Sequence, residues 1–564
     1  MSVLAAADLR LPAGPLDYAL LVLYFAMVLG IGVLARRSVS TSLDFLLSGR
    51  SLPAWVTGLA FISANLGAIE LLGMAANGAQ YGIPTVHYYW IGAIPAMVFL
   101  GLVMMPFYYG SKVRSVPEFL RRRFGKGAHL VNAISFAVAQ VLIAGVNLYA
   151  LALLLKLLLG WPIPLSIVIA ALIVLTYTTL GGLSAAIYNE VLQFFVIVAA
   201  LLPLTVVALR KVGGWQGLLA KVTASPGGAD QLHAWPATNI TGIQNPVLSV
   251  IGIVFGLGFV LSFGYWTTNF AEVQRALSAK SMSAARRTPI IGSYPKALIP
   301  AIVILPGMIA AVIVPEMEKL KAGDTGVGVQ FNDALPLLMR DLLPNGMLGI
   351  AITGLLASFM AGVAANVSSF NTVFTYDLWQ DYIRKDRPDE YYLRVGRLAT
   401  VAGTVVAIGT AFIASGYGNI MDYIQALFSF FNAPLFATFI LGMFWKRMSA
   451  AAGWIGLVAG TLGAVSIFVM ADPKLLGVLD LPGQGASFVG ASVAFVLDIV
   501  VSVVVTLVTR PVPEEQLGGL VYSLTPKADR THSATGEDAG WYRSPVLLGT
   551  GVLVLTAALY IIFS

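Results

Sequence analysis

Residues 61–73 of the chain read FISANLGAIELLG, a stretch that is apolar at both ends and polar at its centre. It lies within a longer apolar run, and a helix needs about 20 such residues to cross a bilayer. Ser63, Asn65, Gly67 and Glu70 fall near the middle of that run, where a charged side chain costs at least about 2.5 kcal/mol. Because irregular or polar backbone is tolerated at this depth only beside a protected cavity, the stretch predicts a helix that is interrupted at mid-membrane.

A second stretch, residues 256–270, has the same character and reads GLGFVLSFGYWTTNF. Small and polar residues again interrupt an apolar run, and we expect a second break there. Each stretch opens a possible unit of five spans. Two interrupted helices in corresponding positions of two halves are typical of transporters built from inverted repeats, in which the interruptions bind the cargo.

The composition of the whole chain is that of a membrane protein. Of its 564 residues, 58% are hydrophobic and only 11% are charged, whereas soluble domains carry about 25% charged residues. The fold class that we expect is therefore an all-α polytopic membrane protein with about fourteen transmembrane helices. The predicted spans lie near residues 16–36, 53–80, 84–110, 127–158, 164–181, 187–209, 246–277, 289–315, 344–376, 395–415, 420–445, 450–470, 487–509 and 544–563.

Lys and Arg residues are distributed unevenly between the two sides of this topology. Residues 121–123 and 384–387 exemplify the loops of the richer side, and the other side holds few positive charges. Cytoplasmic loops carry the excess of Lys and Arg. The chain is therefore expected in a bacterial inner membrane, with both termini on the extracellular or periplasmic side. The lipid bilayer is the expected partner, and no nucleic acid is, because no basic stripe with interleaved aromatic residues occurs. The sequence leaves the oligomeric state open.

Residues suited to catalysis within the membrane are scarce. The chain has four histidines, no cysteine and no pair of acids close together in one span, so it indicates neither a thiolate metal site nor a nucleophile–base pair. The polar stretches near residues 210–245 and 511–543 are too short for an enzyme domain. We therefore expect a carrier of a small polar solute that has no cofactor, rather than an enzyme.

Three polar residues within the spans each have a structural and a functional interpretation. Glu70 is either half of a buried ion pair or a cavity carboxylate that binds substrate or a proton. Lys296 either extends to the membrane interface or finds its partner in the cavity. Gln425 either joins two helices by hydrogen bonds or binds substrate.

Eight short segments of this chain match, in order, segments of one transporter family. They are GRSLPAW (49–55), SANL (63–66), SVPEFLRRRF (115–124), GGLSAAIYNE (181–190), QRALSAKS (274–281), ILPG (304–307), FTYD (374–377) and LGMFWK (441–446). On these segments the chain resembles the sodium:solute symporter family, most closely its bacterial sodium/sugar (sodium/galactose-type) cotransporters.

The resemblance implies a leucine-transporter-type core of two inverted five-helix repeats. The expected divisions are an extracellular N-terminus with a leading helix (1–52), the first repeat (53–210), an extracellular loop (211–245), the second repeat (246–445), and trailing helices (446–564) with a cytoplasmic polar loop at about 511–543.

The resemblance also implies a substrate site and an ion site. The substrate positions fall on Asn65, Glu70, Tyr88, Tyr89, Ser262, Tyr265, Lys296 and Gln425. The family has glutamine where this chain has Glu70, glutamate where it has Tyr89, and asparagine where it has Ser262. Sodium-binding carbonyls fall on Ser63, Leu66 and Ser358, the two sodium-binding hydroxyl positions on Ala361 and Gly362, and an ion-path carboxylate on Glu190.

The function implied is ion-coupled symport, with sodium as the expected ion, of a small hydroxylated solute such as a sugar by alternating access. Because Ala361 and Gly362 carry no hydroxyl, an alternative stays open. It is a proton-coupled or uncoupled carrier of a sugar or another small polar or cationic solute, with Glu70 as the titrating or substrate-binding carboxylate.

Overall fold

The computed structural model describes residues 10–35, 48–111, 113, 115–235, 240–243, 245–417, 419–481, 484–526 and 540–564. Within these ranges the regular structure is helical, and an isolated bridge joins Leu52 to Ala279. The helices are α1 (Pro15–Ala35), α2 (Ala54–Asn65), α3 (Ile69–Tyr81), α4 (Ile83–Gly110), α5 (Val116–Phe124), α6 (Lys126–Leu159), α7 (Ile163–Val212), α8 (Gly214–Ala224), α9 (Pro246–Thr268), α10 (Phe270–Leu277), α11 (Met282–Ile313), α12 (Pro315–Lys321), α13 (Ala334–Leu342), α14 (Met347–Ile383), α15 (Asp389–Ala414), α16 (Ile420–Phe444), α17 (Ala450–Ala471), α18 (Gly485–Val508) and α19 (Pro545–Ile562).

The all-α polytopic class is confirmed, whereas the count of fourteen spans is not. Among the described residues, 11 helices are long and apolar enough to cross a bilayer, and the bent pair α2–α3 raises the number to 12. Two shorter apolar helices, Pro15–Ile31 and Ile163–Thr176, coincide with two further predicted spans. Residues 1–9, 36–47 and 527–539, which include part of the predicted N-terminal segment and of the polar loop, lie outside the described residues. The division into two repeats stays a prediction.

The predicted interruption between residues 181 and 187 is wrong, because α7 runs without a break for 50 residues. Its apolar portions, Ile163–Thr176 and Ala186–Val212, correspond to the two predicted spans, but helical backbone joins them instead of a loop. Between Pro164, in its first turn, and Pro203, this helix contains no proline. Every residue of the joint can therefore donate its amide to the helix.

The trailing helices α17 and α18 pack on each other and on α16, the last helix of the predicted second repeat. Asp498 of α18 is fully buried there and accepts hydrogen bonds from Thr438 Oγ1 of α16 at 2.8 Å and from Ser502 Oγ at 2.9 Å. Polar side chains hold transmembrane helices together in this way because lipid offers them no alternative partner. The last helix, α19, packs separately against α4 and α11.

Helices α3 and α11 cross so closely that glycine is required at two points. A Cβ atom added at Gly307 of α11 would lie 2.0 Å from the carbonyl oxygen of Ala75, and one added at Gly78 of α3 would lie 2.5 Å from that of Ile304. Both obstacles are backbone atoms, which cannot rotate away. Small residues allow this close approach of transmembrane helices, and the crossing fixes α3 against the helix that carries Lys296.

We expect Gly307→Ala to lower the free energy of unfolding by about 1–3 kcal/mol, because one methyl group must push α3 and α11 apart. Thermal unfolding in detergent, followed by tryptophan fluorescence, measures the change. Gly409→Ala in α15 is the matched control, since a Cβ there meets no atom within 4 Å. Equal unfolding midpoints for the two variants would contradict the proposed close crossing.

Candidate functional site

The first predicted break is present between α2 and α3, whose axes differ by 58°. Helix α2 ends at Asn65, and Leu66 adopts φ −74° and ψ 46°, outside the helical region. The chain resumes as a π-helical turn at Ile69–Gly73. Backbone groups at this bend have lost their regular helical partners, and one of them, the Leu66 carbonyl, instead accepts a hydrogen bond from Ser358 Oγ of α14.

The second predicted break lies later than the sequence suggested. Residues 252–262 form a continuous π-helical stretch, and helix α9 then continues to Thr268. Only Asn269, with φ −70° and ψ 111°, leaves the helix before α10 begins. Wide π turns absorb the small and polar residues around Ser262 without opening the backbone. The break is a single residue, Asn269, near the end of the stretch 256–270 in which it was expected.

The ammonium of Lys296 lies at the centre of the site and is 1% exposed. Its Nζ donates to Glu70 Oε1 at 2.6 Å and to Asn65 Oδ1. The same Nζ lies 4.7 Å from the ring centre of Tyr89 and 5.2 Å from that of Trp266. A desolvated cation over aromatic faces is stabilised electrostatically. Lys296 therefore points into the bundle and does not extend to the membrane interface.

Glu70 and Tyr89 together take the place of the carboxylate that the family resemblance puts at position 89. The hydroxyl of Tyr89 donates to Glu70 Oε2 at 2.5 Å, while Lys296 binds the other oxygen. Both residues are buried. Relative to the position that the resemblance implies, the carboxylate lies on α3 instead of α4, and in this chain it pairs with Lys296.

A chain of hydrogen bonds leads from Asn65 to the segment after the second break. Asn65 Nδ2 donates to the hydroxyl of Tyr265 at 3.0 Å, and that hydroxyl donates to Glu272 Oε1 at 2.8 Å. Asn65 thus joins Lys296 to Tyr265. The two interrupted helices contact each other through side chains at this point, as the prediction of facing breaks required.

These side chains border a cavity with an empty volume of about 510 Å³. The cavity brings together seven of the eight predicted substrate residues, namely Asn65, Glu70, Tyr88, Ser262, Tyr265, Lys296 and Gln425; apolar walls come from Ile69, Met74, Leu257, Leu261, Trp266 and Phe428. The eighth, Tyr89, is fully buried behind Glu70. Gln425 Oε1 is buried without a hydrogen-bond partner among the described residues. An orphaned buried acceptor of this kind needs a hydrogen-bond donor, such as a hydroxyl group.

Two polar residues of the site were not predicted from the sequence. Glu272 lies within the predicted span 246–277, and a charge at that depth was the available signal. Gln484, just before α18, accepts a hydrogen bond from the hydroxyl of Tyr88 and donates to Asn77 Oδ1 at 3.2 Å. Nothing in the sequence indicates that a residue so late in the chain reaches the cavity wall.

The predicted ion-site residues are all buried. Of these, Leu66 and Ser358 are in direct contact through the hydrogen bond described above. Ser63 Oγ is buried and has no hydrogen-bond partner within the described ranges. Ala361 and Gly362 lie on α14, one turn after Ser358, and bring no side-chain oxygen. Carbonyls and hydroxyls of this kind suit a hard monovalent cation, which prefers oxygen ligands.

Glu190 of α7 is fully buried and forms a two-point ion pair with Arg275 of α10. Arg275 Nη2 lies 2.5 Å from Glu190 Oε1, and its Nε lies 3.2 Å from Oε2. Two parallel bonds give such a pair a defined geometry. The pair attaches the segment after the second break to α7, and the role of Glu190 in an ion path stays a prediction.

Comparison with known proteins identifies the family to which this chain belongs. A family model described as the sodium:solute symporter family matches residues 45–460. The chain belongs to the sodium:solute symporter family. As a member of that family, it is a membrane transporter rather than an enzyme.

Individual relatives cover most of the chain. Sodium/glucose cotransporter 4 of Danio rerio is 32% identical over 540 residues, covering 90% of this chain and 80% of that protein. The sodium/glucose cotransporter of Vibrio parahaemolyticus is 30% identical over 459 residues, covering 79% and 83%. Sodium/glucose cotransporter 1 of Oryctolagus cuniculus is 30% identical over 564 residues, covering 93% and 83%.

A solved structure of a Na⁺-coupled sialic acid symporter, substrate-bound and outward-open, shares the fold. Its TM-score is 0.73 at 20% sequence identity, and the match covers 88% of this chain and 98% of that one. The leucine-transporter-type core that the resemblance implied is therefore confirmed as the fold of this family member.

We expect Glu70→Gln to abolish solute uptake and to lower the free energy of unfolding by about 3–5 kcal/mol, because it leaves Lys296 as an unpaired buried charge. In Glu70→Gln/Tyr89→Glu the carboxylate returns to the family's position, and both stability and uptake should recover in part. Unfolding midpoints and uptake into reconstituted vesicles measure the two effects. Uptake by Glu70→Gln equal to that of the unsubstituted protein would remove Glu70 from the site.

Proposed function

We propose that this chain is a sodium-coupled symporter that carries a small hydroxylated solute, such as a sugar, by alternating access. The observation that carries this proposal is the central cavity, in which Asn65, Lys296 and Gln425 offer donors and acceptors beside the α2–α3 break. The sodium/glucose names of the relatives point to the same solute class and the same ion.

Five polar residues of the cavity have a role in this proposal. Glu70 and Gln425 accept hydrogen bonds from solute hydroxyls, while Lys296 and Asn65 orient the solute and donate to it. Tyr265 closes one end of the cavity through its bond to Asn65. A site with this many buried polar groups discriminates strongly against analogues that lack a matching hydroxyl, because those groups would be left unpaired.

Sodium would be held where the α2–α3 bend meets α14, at Ser63, Leu66 and Ser358. The chemistry that it supplies is a driving force of about 2.3 kcal/mol per charge for each 100 mV of membrane potential. Because a tenfold concentration ratio corresponds to about 1.4 kcal/mol, this driving force sustains roughly a fifty-fold solute gradient. Coupling follows because the same bend contributes to the ion site and to the solute cavity.

Sodium coupling is favoured over proton coupling through Glu70 by the ion pair with Lys296. The Lys296 ammonium is 1% exposed and depends on the Glu70 carboxylate as its direct ion-pair partner in a medium of low dielectric constant. Neutralising one partner of such a buried pair is costly. Glu70 therefore serves as a fixed acceptor for the solute and for Lys296.

The proposal also includes the orientation of the chain in the membrane and its location in the cell. The uneven distribution of Lys and Arg supports a location in a bacterial cell membrane with both termini on the extracellular or periplasmic side.

An inward sodium gradient should drive accumulation of labelled D-glucose or another hexose into proteoliposomes at equal pH on both sides. Replacing sodium with potassium should abolish accumulation, and preloaded hexose should accelerate uptake by counterflow, which distinguishes a carrier from a channel. Accumulation driven only by an acid-outside gradient would overturn sodium as the coupling ion. A panel of polar solutes in a thermal-shift assay identifies the solute, since ligand at 100 times Kd stabilises by about 2.7 kcal/mol.

A further inference from the structure

The candidate ion site contains a buried carboxamide in the space where the family's second hydroxyl would lie. Asn147 of α6 is 2% exposed. A Cβ atom added at Gly362 would lie 2.3 Å from Asn147 Oδ1, and one added at Gly67 would lie 2.4 Å from the same oxygen. The carboxamide is therefore packed between the α2–α3 bend and α14. Glycine at both positions makes room for it.

The hydrogen bonds of Asn147 fix the direction in which its oxygen points. Oδ1 accepts from the backbone amide of Ala68, just past the bend, at 2.7 Å, and Nδ2 donates to the Ile143 carbonyl at 3.3 Å. A carboxamide oxygen has two lone pairs, so one bond to Ala68 leaves Oδ1 able to bind a cation. The amide nitrogen faces its own helix and not the bend.

Two hydroxyls lie near this bend, one in the last turn of α2 and one on α14. Ser63 Oγ is fully buried and has no hydrogen-bond partner in the part of the chain that is described. Ser358 Oγ contacts the Leu66 carbonyl, at the residue directly before Gly67. An unpartnered buried hydroxyl is costly unless a ligand satisfies it. Side-chain oxygens from three helices thus converge on the residues at which the family resemblance expects sodium.

We propose that Asn147 Oδ1, with the hydroxyls of Ser63 and Ser358, replaces the two hydroxyls absent at Ala361 and Gly362 as a ligand of the coupling ion. Hard cations take carboxamide, hydroxyl and backbone carbonyl oxygens alike. The side-chain ligands are thus distributed over α2, α6 and α14, and the absence of a side chain at Gly362 leaves the space that Asn147 occupies. This inference rests on the proposed sodium coupling.

The test measures sodium binding without transport. Purified protein in detergent is titrated with sodium chloride at constant total salt with potassium chloride, and the unfolding midpoint gives the half-saturating sodium concentration. Asn147→Ala should raise that concentration at least tenfold, while Asn147→Asp, which keeps an oxygen at the site, should bind sodium at least as tightly as the unsubstituted protein. Asn132→Ala is the matched control: it removes a buried carboxamide from the same helix, about 22 Å away along the axis.

A swap between the two helices gives the decisive comparison. Gly362→Ser introduces the family's hydroxyl, which collides with Asn147 in the unsubstituted background and fits in the Asn147→Ala background. We expect Asn147→Ala/Gly362→Ser to bind sodium within about threefold of the unsubstituted protein, the coupling that contacting residues show in a double-mutant cycle. Size-exclusion profiles and midpoints in potassium alone establish that each variant is folded.

The outcomes separate this inference from the proposed function. If the unsubstituted protein shows no difference between sodium and potassium, sodium coupling fails and this ligand set fails with it. If the unsubstituted protein responds but Asn147→Ala has the same half-saturating concentration, sodium coupling stands and the role of Asn147 is wrong. A lower half-saturating concentration in Asn147→Ala would also overturn it, since the carboxamide would then be filling the ion's place.

Discussion

The centre of this molecule is arranged around the contacts that the buried ammonium of Lys296 makes with neighbouring polar groups. A charge with 1% exposure is tolerable only where a counter-charge and further polar groups surround it. Glu70 supplies the counter-charge and Asn65 supplies an oxygen. Both lie beside the α2–α3 bend, so the same bend that frees backbone carbonyls for an ion also neutralises the lysine. The cavity and the proposed ion site consequently lie on two sides of one distorted segment.

Much of this site could be predicted from the sequence, because polar residues within membrane spans are few and each requires a partner. Seven of the eight predicted solute residues border one cavity, although they come from five separated stretches of chain. Glu70 could be recognised as a charge within a span, and the family resemblance identified it as a displaced carboxylate. The partners of Glu70 could not be predicted, because no local pattern indicates that Tyr89 and Lys296 bind its two oxygens.

The predictions that failed concern backbone geometry, which depends on tertiary packing. The residues around Ser262 have the composition of a break, but π-helical turns accommodate them, and the chain leaves the helix only at Asn269. The joint within α7 was expected to be a loop, yet nothing in its sequence prevents helical hydrogen bonding. Gln484 contacts Tyr88 across 396 residues of sequence, a separation at which periodicity and spacing carry no information.

The ion pair between Arg275 and Glu190 has a consequence for how the cavity opens at that end. Both side chains are withdrawn from solvent, and they connect α10, beyond the Asn269 break, to α7. Separating them while they are dry would strand two charges in a medium of low dielectric constant. If α10 separates from α7 during transport, water must therefore reach the pair as it breaks. Hydration of these two side chains would then be part of that separation.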